Sequence, residues 1–430
     1  MRVLLPLALW ACNAQSSITI KDADGTDDSD ADTDADTDAD SDADSDTDTD
    51  TGTEPDVEPV VPDLVVDCEG NADFESIQDA IDAAVSPADI ALWPCEYHER
   101  LDYLGKDLNI YGTEGSAKTT IDGDGTGTVV DVEVYEQGHV RLAGVTITGG
   151  YDVSDGAAIE IIEASLELED VVIEGNEGLY AIRSWAGYLD MVDVVIDGND
   201  LAPGGSGVYS KGGGFSFDRV YIDCDGADQG IWHHNSLVLT DSEVVCDNGY
   251  GVHNYHGENM ILRSRLYGGL AGILAYDTES TDEEPDSPNE RIIVENSVFG
   301  GGALGPAVRY MNLSATNSVF YGDESALSMT ACNSASTTVN SVFAGAACGI
   351  TGDQRFSHGY SAFWDNAADG CGVTVTPEVS SDPMFTSWPD DLTLRAGSPL
   401  IDAGSPEAGY NDGDGSRNDI GRHGGPSGDW

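Results

Sequence analysis

Basic side chains are scarce in this 430-residue chain: 17 Lys and Arg stand against 80 Asp and Glu, for a formal net charge of -63. Nucleic-acid binding needs clustered Lys and Arg to neutralise phosphates, so the composition excludes nucleic acid as a partner. Phenylalanine is also scarce, with 9 residues, whereas glycine is abundant, with 52. The glycine content predicts many turns and disfavours a helical bundle.

Long apolar runs are missing as well. The run VLLPLALWAC, which follows Met1 and Arg2, is too short to span a bilayer, and no later segment could cross one. A positive charge before a short apolar run is typical of a signal peptide, which we predict for residues 1–11. Residues 9–12, LWAC, resemble a bacterial lipobox, which would attach a lipid to Cys12; ordinary cleavage nearby is the alternative. We therefore expect export, either as an outer-membrane or cell-surface lipoprotein or as a secreted protein.

An acidic low-complexity segment follows. Residues 22–58 contain 18 carboxylates, alternating with Ala, Ser and Thr, and contain no Lys or Arg. Such a segment repels itself and has almost no apolar side chain to bury. We predict a disordered linker over residues 12–62, and we expect a membrane to be contacted only through a lipid on Cys12.

Two pairs of cysteines are separated by about one repeat length. Cys224 and Cys246 lie 22 residues apart in similar contexts, and Cys348 and Cys371 lie 23 apart. Cysteines on adjacent coils of a repeat structure lie within disulfide range. The spacing therefore predicts these two disulfides and leaves Cys12, Cys68, Cys95 and Cys332 unassigned.

An internal repeat is the strongest signal in the sequence. An apolar strand, a small polar corner, a second apolar strand and a glycine recur nine times, and consecutive corners are 21 to 32 residues apart. The one irregular interval contains the acidic insertion at residues 277–290. Period-2 strands with no helical pattern predict an all-β parallel solenoid of roughly a dozen coils. The predicted corners are Gly144, Asp170, Asp193, Arg219, Asp241, Ser264, Asn296, Asn317 and Asn340, and the last three should form a ladder of side-chain amides.

Segments at both ends of the repeat resemble a known family. FESIQDAIDAA from Phe74 and DIALWPCEYHERL from Asp89 resemble the cap helix and first strand of right-handed parallel β-helix proteins of the pectin lyase-like superfamily, of the bacterial secreted or lipoprotein type. DPMF from Asp382 and DGDGSRNDIG from Asp412 resemble a C-terminal cap. The resemblance implies a β-helix over residues 63–380 with an N-terminal cap helix, and a cap segment over 381–430. It also implies a third disulfide, between Cys68 and Cys95.

One face of the predicted solenoid differs from the acidic remainder. In the short strand after each glycine the first position is apolar, so alternation directs the second and fourth positions outward. Aromatic rings stack on sugars, and cations pair with uronates, so this face is predicted to bind an extracellular, acidic polysaccharide. A ladder of rings that only stabilises the sheet is the alternative. The predicted binding residues are Arg183, Trp185, Tyr209, Lys211, Trp232, His234, His253, Tyr255, Tyr276 and Arg309.

Two other functions stay open. A polysaccharide lyase acting on uronates needs a base and charge-neutralising cations, and the same face offers those residue types. Glycoside hydrolysis needs paired carboxylates, and the aligned strands offer only Glu160 and, at the end of its strand, Asp277. The acid pairs of polygalacturonases and the paired arginines of pectate lyases are not found, so no catalytic residue is assigned. An inert surface spacer is the third reading, and a monomer is expected in each case.

A calcium ion is the one cofactor that the sequence suggests. Asp412, Asp414, Ser416 and Asn418 alternate as in a calcium loop, but His423 stands where an EF-hand would carry its bidentate Glu. The alternative is an Asx-rich turn that satisfies its own backbone.

Overall fold

The fold is taken from a computed structural model, which describes residues 61–133, 140–276, 291–302, 304–309, 311–330, 336–352 and 356–428. The described residues from 62 onward form one compact unit. Strands predominate. There are one short α-helix, α1 (Ile77–Ala83), and one 3-10 turn (Ala408–Tyr410) in the described ranges.

The first twelve strands are β1 (Leu64–Val66), β2 (Ala88–Leu92), β3 (Glu96–His98), β4 (Leu101–Asp102), β5 (Leu108–Gly112), β6 (Thr120–Asp122), β7 (Val130–Glu133), β8 (Val140–Thr148), β9 (Tyr151–Ile162), β10 (Ser165–Ile173), β11 (Glu177–Trp185) and β12 (Tyr188–Ile196). The next twelve are β13 (Asp200–Lys211), β14 (Gly214–Asp218), β15 (Tyr221–Asp223), β16 (Gln229–His234), β17 (Ser236–Thr240), β18 (Glu243–Cys246), β19 (Tyr250–Tyr255), β20 (Glu258–Leu262), β21 (Arg265–Gly268), β22 (Ala271–Tyr276), β23 (Arg291–Glu295) and β24 (Val298–Gly301). The last twelve are β25 (Ala307–Arg309), β26 (Asn312–Thr316), β27 (Val319–Tyr321), β28 (Ser325–Thr330), β29 (Thr337–Val339), β30 (Val342–Ala344), β31 (Cys348–Thr351), β32 (Ser357–Gly359), β33 (Ala362–Trp364), β34 (Ala368–Cys371), β35 (Phe385–Ser387) and β36 (Asp391–Leu394).

The strands form a parallel β-solenoid, which confirms the fold predicted from the repeat. The coils contribute one strand each to a 12-stranded sheet, which runs from β4 to β34. To a 22-stranded sheet most coils contribute two strands that meet at a bend, whereas β8, β10 and β12 are continuous through it. Every pairing in these two sheets is parallel, whereas β35 and β36 form an antiparallel hairpin after the last coil. The inward positions are filled by buried Val, Ile, Leu and Phe, so each coil covers the core of its neighbour.

The predicted cap helix is also confirmed. The carboxylate of Glu99 accepts hydrogen bonds from the Ile77 and Gln78 N–H groups at 2.8 and 2.9 Å, so it satisfies the free donors at the N-terminus of α1. At the other end Lys106 Nζ donates to the carbonyls of Ile81, Asp82 and Ala84. Ile77 and Ile81 are fully buried, and the helix closes the first coil.

The corners lie at positive φ, with one correction to the predicted set. Asp241, Asn296, Asn317 and Asn340 have φ between 49° and 55°, but the corner between Asp241 and Asn296 is Arg263, at 46°, and not Ser264. Arg263 pairs with the preceding corner, because its guanidinium lies 2.7 Å from the Asp241 carboxylate. The ion pair bridges two coils on the outside of the bend.

From the corner at Asp241 onward, the residue after the corner carries the ladder that was predicted for the asparagines. The hydroxyl of Ser318 accepts from Ser297 N at 3.2 Å and donates to Thr316 O at 2.8 Å, and the same pattern repeats in neighbouring coils. The buried serines in this ladder are Ser242, Ser264, Ser297, Ser318, Ser341 and Ser361. The expectation that the asparagine amides bond up and down the stack was wrong.

Those asparagines hold the C-terminal segment instead. Asn296 and Asn317 donate from their side-chain amides to Gly424 O at 2.6 and 2.8 Å, and Asn340 Oδ1 accepts from Ser405 N at 2.7 Å. The segment therefore lies along the corner column. It accepts from the amides of Asn296 and Asn317, whereas Asn340 Nδ2 has no hydrogen-bond partner among the described residues.

Three disulfides join cysteines of the described residues. Cys224 is bonded to Cys246 and Cys348 to Cys371, with Cα–Cα distances of 5.0 and 6.0 Å, and each bridge joins adjacent coils. The third joins Cys68 to Cys95, at a Cα–Cα distance of 6.4 Å. Cys12 and Cys332 lie outside the described residues.

Candidate binding face on the 12-stranded sheet

The predicted binding residues lie in two outward rows of the 12-stranded sheet. In the first row Arg183 is opposite Tyr209, Tyr209 opposite Trp232 and Trp232 opposite His253. In the second row Trp185 is opposite Lys211, and His234, Tyr255 and Tyr276 follow one another. The inward neighbours Ile182, Val208, Ile231 and Val252 are fully buried. We call the surface formed by the two rows the aromatic face.

The register differs from the sequence alignment at one strand. When the first, apolar position of each short strand is aligned in the sequence, Val308 stands beside Ile273. In the structure Val308 pairs with Ala275, two residues further on. Arg309 therefore lies opposite Tyr276 in the second row. Its Nε atom is buried and has no hydrogen-bond partner among the described residues.

The centre of the aromatic face is a continuous stack of rings. Tyr209 and Trp232 are parallel, with centroids 4.5 Å apart and an interplanar angle of 9°. Tyr255, from the following coil, lies 5.2 Å from Trp232 at 49°, and Tyr276 lies 4.3 Å from Tyr255. Trp232 is thus contacted from both sides along the stack. Tyr180, which the sequence alignment did not include, extends the stack to within 4.5 Å of Tyr209.

His253 is buried within this cluster. It is 8% exposed, both ring nitrogens lack a hydrogen-bond partner among the described residues, and the rings of Tyr250, Tyr255 and Tyr276 surround it at 4.8 to 5.6 Å. Burial lowers the pKa of His253 to about 4. The ring is therefore neutral at pH 7, and the expectation of an exposed, cationic His253 was wrong because larger side chains cover it.

Arg183 is occupied by carboxylates of the protein. Its Nε and Nη2 atoms lie 2.9 and 2.7 Å from Glu160 Oε1, and Nη2 lies 2.8 Å from Asp155. The hydrogen bond to Glu160 raises the pKa of Arg183 further, and Glu160 is 4% exposed. Arg183 thus neutralises a buried carboxylate, and a bound uronate would have to compete with it.

The accessible part of the face lies in the second row. Trp185 is 41% exposed, and Lys211 Nζ lies 4.7 Å from the centre of its ring. Tyr188, at 59% exposure, follows at the turn into the 22-stranded sheet. An exposed indole with an ammonium group beside it can contact the apolar side of a sugar ring and pair with a carboxylate.

Carboxylates occupy the N-terminal end of the first row, and sequence reasoning named Glu160 but missed Asp102 and Asp131. Asp102 pairs with Asp131, and Asp131 with Glu160, in successive strands. Burial and the neighbouring carboxylates Glu133, Asp102 and Glu160 raise the pKa of Asp131 to about 6. The alternation Val130-Asp131-Val132-Glu133 was the available signal, but the sequence alignment began one coil later.

The residues of the suggested calcium loop are used by the C-terminal segment. Asp412 Oδ1 accepts from Gly425 N at 2.6 Å, and Asp414 Oδ1 accepts from Ser416 N at 2.8 Å. Asn418 is fully buried and donates to Tyr410 O at 2.7 Å. These are the contacts of an Asx-rich turn, and calcium binding here stays a prediction.

Comparison with known proteins gives structural similarity only. No protein-family model and no curated protein matches the chain. The crystal structure of pectate lyase Pel9A is similar at 14% identity over 84% of this chain and 95% of that one, with a TM-score of 0.39. The A-module of the mannuronan C-5 epimerase AlgE6 of Azotobacter vinelandii is 14% identical over 71% of this chain and 92% of that one, with a TM-score of 0.33. The carrot pectin methylesterase is 13% identical over 76% of this chain and 90% of that one, with a TM-score of 0.26.

No helix in the described ranges is long and apolar enough to cross a membrane.

Proposed function

We propose that this protein binds an acidic extracellular polysaccharide along the aromatic face of its 12-stranded sheet. The observation that carries the proposal is the composition of the two rows. From Arg183 to Arg309 the described strands place Tyr, Trp, His, Lys, Leu and Ala between the two arginines in these rows, and no Asp or Glu. A band without carboxylates is unusual in a chain with 80 of them. Such a band repels a polyanion less than a surface lined with carboxylates does.

The binding centre should be Trp185 with Lys211, and not Trp232. The rings of Tyr209 and Tyr255 cover Trp232, so a sugar could reach only its edge. Trp185 is exposed, and Lys211 beside it can pair with a uronate. Arg309, four strands further along, would place a second cation roughly 19 Å away, at about 4.8 Å per strand.

The lyase alternative has less support. Its base and cations were predicted among Arg183, Lys211, His234, His253 and Tyr255. Of these, His253 is buried and Arg183 is paired with Glu160 and Asp155. One observation supports the spacer alternative: the stacked rings of the aromatic face also stabilise the sheet.

Export as a lipoprotein or secreted protein is part of the proposal. Three disulfides are typical of proteins that fold in an oxidising compartment, which supports the extracellular location. Lipid attachment at Cys12 would display the solenoid at a cell surface.

Two matched pairs of variants test the binding centre. Trp185→Ala should weaken binding of polygalacturonate or alginate by about 1 to 3 kcal/mol in isothermal titration, because the contacting ring is lost. Trp93→Ala is its control, since Trp93 is 43% exposed and follows β2, a strand of the 22-stranded sheet. Lys211→Ala should also weaken binding, and Lys118→Ala should not. Equal losses in variant and control would refute this location.

A further inference from the structure

A groove lies at the C-terminal end of the 22-stranded sheet, away from the aromatic face. Its volume is about 360 Å³, which lies in the range of about 300 to 1,000 Å³ typical of small-molecule sites. Backbone of successive coils forms its floor, and aromatic side chains form its walls. The lining glycines are Gly301, Gly302, Gly322 and Gly345; the other lining residues are Tyr267, Tyr321, Asp323, Trp388 and Pro389. We call it the C-terminal groove.

Large and small residues alternate between coils in the row that carries two of the lining tyrosines. In one outward row Tyr267 is opposite Gly300, Gly300 opposite Tyr321 and Tyr321 opposite Ala344. The ring of Tyr321 lies across Gly300, where an added Cβ would come within 2.3 Å of the tyrosine hydroxyl. Gly300 thus accommodates the ring of Tyr321, which lines the groove.

The hairpin of β35 and β36 supplies the other wall. Trp388 stacks on Phe385 at 5.6 Å and meets Tyr321 edge-on at 5.3 Å. Arg265 Nη2 donates to Pro389 O at 2.8 Å, which fixes the hairpin loop to the coils. The wall is therefore already fixed in the free protein. Binding then loses little conformational entropy at this wall.

We propose that the C-terminal groove binds a neutral hexose or pentose unit of a polysaccharide. Aromatic walls fit the C–H side of a sugar ring, while the exposed carboxylate of Asp323 and the tyrosine hydroxyls can bond its hydroxyl groups. The carboxylate at the rim repels uronates, in contrast with the aromatic face. A protein partner would need about 800 Å² of contact on this side, which is more than a groove of this size offers.

The two sites would then act on one composite polysaccharide or on two different ones. The C-terminal groove does not depend on the aromatic face, since the two belong to different sheets. Failure of one proposal leaves the other standing. Each site also has its own tryptophan, Trp388 and Trp185, as a reporter.

The test is ¹⁹F NMR of the full chain labelled with 5-fluorotryptophan, with resonances assigned through Trp388→Phe and Trp185→Phe. Titration with cellohexaose, mannohexaose and xylohexaose should move the Trp388 resonance saturably for at least one of them. Trigalacturonate should leave it in place. Asp323→Ala should weaken that affinity about tenfold, because a hydrogen bond to a charged acceptor is lost.

The matched control is Glu324→Ala, which removes the same charge one residue away from an exposed side chain that does not line the groove. It should leave the affinity unchanged. The proposal is wrong if none of the three neutral oligosaccharides moves the Trp388 resonance at millimolar concentration. It is also wrong if trigalacturonate moves that resonance as strongly, or if Glu324→Ala and Asp323→Ala weaken binding equally.

Discussion

Replacing Trp232 by Ala should destabilise the solenoid, although Trp232 points outward. The indole is stacked on Tyr209 at 4.5 Å and contacted by Tyr255 at 5.2 Å. Aromatic pairs contribute about 0.5 to 1.5 kcal/mol each beyond the area they bury. Loss of both pairs should therefore lower the free energy of unfolding by about 1 to 3 kcal/mol. A sequence-based reading, with Trp232 as an exposed platform, predicts almost no change.

Urea unfolding of wild type and variant measures this difference through the midpoint at constant m-value. Ile231→Ala serves as the reference, because Ile231 is fully buried in the core and its truncation should cost about 2 to 5 kcal/mol. Exposed sites typically change the free energy of unfolding by less than about 0.5 kcal/mol. A loss in that range for Trp232→Ala would show that the ring stack does not stabilise the solenoid. Trp232 would then again be the best candidate for a sugar platform.

Three further perturbations follow from the same contacts. Ser318→Ala should cost about 1 to 3 kcal/mol in urea unfolding, because the buried N–H of Ser297 loses its acceptor, whereas the exposed Ser314→Ala should cost almost nothing. Arg183→Ala should cost about 3 to 5 kcal/mol by leaving Glu160 buried and unpaired, and adding Glu160→Gln should recover part of that loss. Asp131→Asn should stabilise the protein by about 1 to 2 kcal/mol at pH 8, after discounting for solvent screening, and not at pH 3. The substitution stabilises at pH 8 because the folded-state pKa of Asp131, about 6, is above its ordinary value of 3.8, so ionised Asp131 destabilises the folded state. At pH 3 Asp131 is protonated in both states and the effect is absent. Unfolding curves at both pH values measure the difference.

The fold could be predicted because the repeat is local and periodic. Inward positions such as Ile231 and Val252 recur with period 2, and the glycines mark the turns, so the sequence determines which side chains face the core. The corner at Arg263 was assigned one residue too late, because Ser264 resembles the small polar residues at other corners. The partners of the asparagine amides could not be predicted, since they lie about 65 to 128 residues away in the C-terminal segment.

The composition of the candidate site could be predicted, but its chemistry could not. Alternation places His253 and Arg183 outside the core, yet it does not show that three tyrosines cover His253 or that Glu160 and Asp155 occupy Arg183. Side chains from neighbouring coils decide both outcomes. The exposed position of Trp185 depends equally on its neighbours.

Retention of acidic polysaccharide is the most direct test of the central claim. Purified protein should be retained on immobilised polygalacturonate or alginate, and the recovered polysaccharide should have unchanged chain length and no ultraviolet absorbance from unsaturated uronate ends. The Trp185→Ala variant should elute early. Absence of retention on every acidic polysaccharide tested would contradict the account in favour of a spacer, and new unsaturated ends would contradict it in favour of a lyase.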